Sequence, residues 1–257
     1  MLFLIPPSEG KTAPITGPKL NLAGLCFPEL NPSRTILIDS LSAICAKSPK
    51  KAAELLDLGP TQFDLVELNA HLTSNPCAPA IEVYSGVLYD RLDFPSLSSA
   101  AKMRAQTSVL IASALFGFVR LTDPIPAYRL SGSTVLPKIG PLATFWKSDL
   151  MPLFDSFSNE LVLDMRSGSY EKLAPLGKYS NVIPVKVMTM VHGVRKSVTH
   201  FNKATKGDLV RASMASSRKF PQDANGLKSY FEALGFEATL EISAKGAPSL
   251  IILTKDH

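Results

Sequence analysis

An α/β fold is predicted by three observations on the sequence. Short apolar runs that read as buried strands are bounded by Gly, Pro and Ser. They alternate with segments of helical spacing along most of the chain. No internal repeat and no low-complexity linker divides it. The expected architecture is a central mixed β-sheet wrapped by helices, with α+β as the near alternative, in a single domain spanning residues 1–257.

Taken in order, Leu2-Phe3-Leu4-Ile5 is a buried strand ended by Pro6-Pro7. Ser33 is placed to cap a helix whose face carries Leu37, Leu41 and Ile44. Helices are predicted over Lys50 to Leu58, stopped by Gly59-Pro60, and over Phe63 to Leu72. Ile81 to Tyr84 reads as a short strand, Ser96 to Arg104 as a helix, and Val109 to Ala114 as a central strand. Leu142 to Phe154 is a helix with Trp146 inside it and Pro152 disturbing its last turn. Leu161 to Met165 is a buried strand. Val182 to Met190 is a strand that Pro184 pushes toward an edge or a bulge. Helices follow over Phe201 to Ala215 and over Leu227 to Leu234, where Gly235 stops the second. Glu237 to Ile242 and Ser249 to Thr254 form a hairpin turning at Lys245-Gly246.

Composition narrows the class. With 257 residues, 46% hydrophobic and 19% charged, the chain is globular, and such a length buries roughly 70–75% of its unfolded surface. No apolar run approaches the ~20 residues that cross a bilayer. Met1 to Ile5 lacks a basic flank and a full apolar region, so no signal peptide is read and a cytoplasmic location is expected. Cys26, Cys45 and Cys77 are odd in number and widely spaced, and His71, His192, His200 and His257 form no ligand-spaced pair. Neither a disulfide framework nor a metal site is expected, and no cofactor. The formal charge of +5 points to anionic partners.

Four segments carry candidate chemistry. Pro6 to Thr12 follows the first strand directly. Its Gly10-Lys11-Thr12 imitates the tail of a P-loop, but Ile5 stands where that motif needs glycine, and two prolines remove N–H groups. The expectation is a polar loop aiming Ser8, Lys11 and Thr12 off a strand end. Ala114 to Arg129 sets Arg120, Asp123, Tyr128 and Arg129 in a Gly/Pro-constrained stretch, where arginine forks match phosphate or carboxylate. Asp164 to Lys172 adds Arg166 and Lys172, with hydroxyls at Ser167, Ser169 and Tyr170. The last segment is basic: Arg195-Lys196, then Lys203, Lys206 and Arg211 on a helix, Lys203 and Lys206 near one face, suited to tracking phosphates. Gly207 inside that helix implies a close approach or a functional need. Lys11, Arg120, Arg129 and Arg166 each follow a predicted strand and are expected to converge at one end of the sheet.

These segments, in this order, resemble the YaaA-like peroxide-stress family over essentially the whole chain. The likeness is clearest in the opening loop, in F-G-F-V-R-L-T-D-P-I-P-A-Y-R from Phe116 to Arg129, in Phe145-Trp146 and in the Lys/Gly/Arg helix. The resemblance implies a sheet wrapped by helices, a positively charged cleft, a link to hydrogen peroxide defence and a nucleic-acid partner, DNA. It places Ser8, Lys11, Thr12, Arg120, Asp123, Tyr128, Arg129, Trp146, Lys206, Gly207 and Arg211 in or behind that cleft. The family's first loop commonly reads S-P-A-K-T, where this chain has the longer P-P-S-E-G-K-T; Phe116 stands for a common tyrosine and Lys206 for a frequent arginine. The helical hairpin that the family offers to DNA falls between Lys47 and Leu72, where Lys47, Lys50 and Lys51 are balanced by Glu54, Asp57, Asp64 and Glu67.

Two functions follow as expectations. One is a nucleic-acid-binding stress protein using Ser8, Lys11, Thr12, Arg120, Arg129, Arg166, Lys172, Lys203, Lys206 and Arg211. The other is an enzyme acting on a small anionic or nucleotide-like substrate, with Lys11, Asp123 and Tyr128 in acid–base roles. A protein-interaction module has no support beyond generic surface. The shape of the site separates the first two, since a closed pocket suits an enzyme and a long open basic groove suits nucleic acid.

Overall fold

The structure, a computed structural model, describes residues 1–257 apart from 192–193, 198–199, 245 and 255–257. His192, Lys245 and His257 therefore lie outside the described residues. The strands are β1 (Leu2–Ile5), β2 (Cys77–Pro79), β3 (Val109–Ser113), β4 (Gly117–Arg120), β5 (Pro124–Pro126), β6 (Val135–Leu136), β7 (Gly140–Pro141), β8 (Val162–Asp164), β9 (Val182–Val191), β10 (Val194–Ser197), β11 (Glu237–Ile242) and β12 (Pro248–Thr254). The α-helices are α1 (Asn31–Lys47), α2 (Pro49–Leu55), α3 (Asp64–Ala70), α4 (Ala80–Val83), α5 (Val87–Leu92), α6 (Ser99–Ser108), α7 (Leu142–Asp155), α8 (Ser169–Leu173), α9 (His200–Ala215) and α10 (Asn225–Glu232).

Eight strands form one mixed sheet in the order β11-β12-β9-β8-β1-β3-β4, with β10 also paired to β9. Strand β1 runs parallel to β3 on one side and to β8 on the other. All four of its residues are buried, which is why its sequence is an unbroken apolar run and does not alternate. Helices cover both faces, and one contiguous core joins β1, β3 and β8 to Trp146, Leu209 and Phe231. The class is α/β, as the pattern of elements predicts.

Local differences have identifiable causes. Ile81–Tyr84 is not a strand. The Ala80 and Ile81 N–H groups donate to the carbonyls of Asp123 and Leu121 at 2.9 and 3.0 Å, and Tyr84 N–H closes a helical turn onto Ala80. The strand lies just upstream, as β2 against β5. Pro184 is internal and not at an edge, because β9 pairs with β8 over Val182–Pro184 and with β12 from Val185 onward. The missing N–H thus falls where β9 changes partner. Ser33 does not cap α1, whose preceding residue is Leu30; its hydroxyl donates instead to Asp149. The closing hairpin forms, β11 antiparallel to β12.

Two tight approaches set the packing. Gly117 opens β4 at φ +74°, and a Cβ there would meet the Trp146 ring at 3.0 Å. The buried Trp146 indole N–H donates to the Ala114 carbonyl at 2.8 Å, which fixes α7 over the β3–β4 turn. Across α1, the buried Arg34 guanidinium donates to the carbonyls of Phe116 and Phe118 at 3.0 and 2.9 Å. Gly207 lets α9 touch α5: a Cβ there would sit 2.4 Å from the Leu88 carbonyl oxygen. The glycine inside a helix is thus explained by contact. Because that neighbour is backbone, Gly207→Ala is expected to destabilise by ~1–3 kcal/mol despite alanine's better helix propensity. A urea midpoint equal to that of the wild type would show that the helices do not touch this closely.

Candidate functional site

The loop after β1 leaves the sheet at its C-terminal edge, between the ends of β3 and β8. Open α/β sheets place ligands at such a point. Thr12 N–H donates to the Val83 carbonyl at 2.8 Å, and Lys11 bridges to Tyr84, so residues 10–12 run antiparallel beside the chain as it leaves α4. The Lys11 amine then turns inward. It donates to the Ser8 carbonyl at 2.8 Å and lies 4.1 Å from the centre of the Tyr128 ring and 5.3 Å from that of Tyr84.

A tyrosine cluster forms the floor. The hydroxyls of Tyr84 and Tyr128 are 2.8 Å apart, and Tyr128 also meets the Ser113 hydroxyl at 2.8 Å. Tyr89 stacks on Tyr84 with ring centres 5.5 Å apart and donates to the Pro6 carbonyl at 2.9 Å. Glu9 forms the wall. It pairs with Arg129 and accepts from Tyr170 at 3.2 Å. The Arg129 backbone is clamped by the buried Asn69, which accepts from its N–H at 2.9 Å and donates to its carbonyl at 2.7 Å.

These surroundings decide protonation. Burial lowers the Lys11 pKa from 10.5 to about 7; Glu9 opposes the shift and Arg129 adds to it. Burial pushes Tyr84 up to about 12 and Tyr128 well above its ordinary value. Tyr170 is raised by burial and then by Glu9. Near neutrality the cluster therefore holds one amine able to gain or lose a proton, among hydroxyls that stay protonated.

Of the sequence candidates, Ser8, Lys11, Tyr128 and Arg129 come together, and Thr12 lies exposed beside them. Asp123 does not join them. Its carboxylate accepts from the backbone N–H groups of Arg120 and Cys26 at 3.0 and 3.2 Å and is 6% exposed, so it ties the turn after β4. Arg120 is also elsewhere. Strand β4 is antiparallel to β3, so Arg120 pairs with Leu110, while Gly117 pairs with Ser113 at the site end. Its guanidinium donates to the Thr107 carbonyl. The expected convergence therefore fails for Arg120, because reversal at the β3–β4 turn carries it toward the opposite end of the sheet.

The other basic residues are largely engaged. Arg166 follows β8 but is buried; it forks onto Asp164 at 2.9 and 2.8 Å and donates to the carbonyls of Tyr170 and Ala174. Lys206 is 4% exposed and not on a solvated face. Its amine reaches the Arg166 carbonyl at 3.5 Å, and burial lowers its pKa to about 8 against Asp164 and Glu171. Arg211 braces α5 through the carbonyls of Leu92 and Asp93 and the Ser96 hydroxyl. Lys172 and Lys203 are exposed. Sequence reading passed over Glu9, Tyr84 and Ser113; Glu9 alone carried a signal, as an opposite charge two residues from Lys11.

Among the described residues no three His, Cys, Asp or Glu side chains are grouped to hold a metal ion, and no helix is long and apolar enough to cross a membrane.

Comparison with known sequences gives consistent matches. A UPF0246 protein of Streptomyces coelicolor is 39% identical over 250 residues, covering 96% of this chain and 95% of its own length. A UPF0246 protein of Corynebacterium glutamicum is 37% identical over 257 residues, covering 98% of this chain and 100% of its own. One from Corynebacterium efficiens is 41% identical over 223 residues, 85% of this chain and 87% of its own. The sequence model described as "Peroxide stress protein YaaA" matches residues 1–240, and the chain therefore belongs to that family.

Proposed function

We propose that this protein serves peroxide defence by holding a small anionic molecule against Lys11 and moving a proton on it. The observation that carries this reading is the Lys11 amine itself, seated over two tyrosine rings at the C-terminal edge of β1 with a pKa of about 7. A group poised near the working pH is suited to general acid–base chemistry. Tyr128 stays protonated, its hydroxyl held by Tyr84 and Ser113 and its ring face under the amine, and Glu9 sets the charge beside that amine.

The competing reading is duplex DNA on a basic cleft. It is weakened by the engagement of the cations it relies on: Arg166, Lys206 and Arg211 brace the fold, and Arg120 lies away from the others. Thiol chemistry with peroxide is weakened too. Burial raises the pKa of Cys26 far above its ordinary value and pushes Cys45 and Cys77 up to about 11, which disfavours the reactive thiolate.

Three outcomes are expected. NMR of isotopically labelled lysine should show two amines titrating well below 10.5, Lys206 near pH 8 and one near pH 7 that is absent in Lys11→Met; a Lys11 midpoint near 10.5 would sink the reading. Duplex binding followed by anisotropy should be weak, whereas a log–log salt slope of about −3 or steeper would move the assignment to nucleic acid. Alkylation of the native thiols at pH 7 should be at least ~10-fold slower than that of free cysteine; rapid labelling would restore thiol chemistry.

Stability supplies a fourth check. Between about pH 7 and 10.5 the unfolded chain holds a proton on Lys11 that the native state does not. The burial penalty is therefore full below pH 7 and is relieved as pH rises through that window. Wild type should gain stability relative to Lys11→Met between pH 7 and 10, read as a closing gap in urea midpoints; a gap independent of pH would show that the amine keeps its ordinary pKa.

A further inference from the structure

Arg129 faces two ways. Inward it pairs with Glu9, with side chains 20% and 45% exposed, so the pair is open to solvent. Outward it lines a cavity of about 780 Å³, together with Lys51 and Glu54 of α2, the following Asp57, and Ser131 and Ser133. Asn69 fixes the Arg129 backbone on both sides, leaving the side chain as the part able to change partner.

We propose that this cavity receives a small hydroxylated carboxylate, whose carboxylate takes Arg129 from Glu9 while its hydroxyls meet Ser131, Ser133 and the carboxylates of Glu54 and Asp57. The proposal rests on the preceding reading of Lys11 and adds an effector class and a trigger, since the cavity shares Arg129 with that site but is not lined by Lys11. A planar guanidinium fork matches a carboxylate. The lining balances Lys51 and Arg129 against Glu54 and Asp57, so polyanions such as a polyphosphate chain are disfavoured while a monoanion carrying donors is accommodated.

The exchange changes the charge at Lys11. The groups facing that amine are Glu9 on its own loop, Arg129, Tyr84 and Tyr128; Tyr170 bonds Glu9 and Tyr89 stacks on Tyr84. With the site empty, Arg129 disfavours the ammonium and Glu9 favours it. Once a carboxylate neutralises Arg129, the field at Lys11 is that of Glu9. Binding therefore draws about half a proton per site onto Lys11 near pH 7.5 for a one-unit rise from about 7, and the anion enriches the acid form of the amine.

The test uses the full chain with glycerate as probe and inorganic pyrophosphate as the polyanion control. Glycerate should raise the Lys11 midpoint by about one pH unit, and calorimetry in two buffers of different ionisation enthalpy should show proton uptake near pH 7.5. Pyrophosphate should bind no better than glycerate. Glu9→Gln removes the competitor and should tighten glycerate binding several-fold, while Arg129→Gln should abolish the response with the amide spectrum otherwise retained. Weaker binding in Glu9→Gln, tighter binding of pyrophosphate, or a Lys11 midpoint that stays near 7 with glycerate present would overturn this proposal alone. A midpoint near 10.5 in the free protein would remove the earlier reading as well.

Discussion

Strand β1 must have a parallel neighbour on each side, and the rest of the architecture follows from that requirement. Four apolar residues, Leu2–Ile5, offer both backbone edges to β3 and β8 and both faces to helices. The ladder ends where Pro6 and Pro7 can donate no N–H groups, and the Pro6 carbonyl is taken by Tyr89. The chain has to leave the sheet there, at its C-terminal edge, where β3 delivers Ser113 and β8 leads into the segment bearing Tyr170. The position of Lys11 is thus set by strand order, and its chemistry by what the neighbouring strands bring to the same edge.

Placing an amine there carries an electrostatic cost, met locally. The Ser8 carbonyl accepts one donor, two aromatic faces attract the cation, and Glu9 opposes the field of Arg129. The protein treats its buried arginines differently. Arg34 and Arg166 saturate carbonyls or a carboxylate and become struts. Among the described residues Lys11 has one direct acceptor, and with a pKa of about 7 its charge remains adjustable.

The sequence made the fold class and most helices and strands legible, because burial on two faces leaves unbroken apolar runs and the helices carry spaced apolar faces. It also marked the loop after β1, since Ser8, Lys11 and Thr12 directly follow the end of a buried strand. What it hid was direction. Arg120 and Lys11 both follow strands, but nothing in the residues around Phe116 and Gly117 told whether the chain would reverse there or cross over. Burial of charge was equally hidden: Lys206 has the spacing of a solvated helix face, and only the contact of Gly207 with α5 turns that part of α9 inward. Tyr84 and Ser113 read as core because they are core, and their hydroxyls acquire a role only from each other's company.

The burial of two thiols and the raised pKa of the third have a consequence for durability. A protein that works while peroxide is present is itself exposed to the oxidant, and sulfur is what peroxide attacks first. With Cys45 and Cys77 buried and the half-buried Cys26 kept from ionising by burial and by Asp123, the most exposed sulfur among the described residues belongs to thioethers: Met103 is 64% exposed and Met190 42%. Both stand on the surface, whereas Met165 and Met214 are sealed in the core. Early damage would then be methionine sulfoxide at positions where a more polar side chain is tolerated, a lesion that reductases reverse. The molecule would wear from the outside, with Lys11 and its tyrosines among the last parts affected.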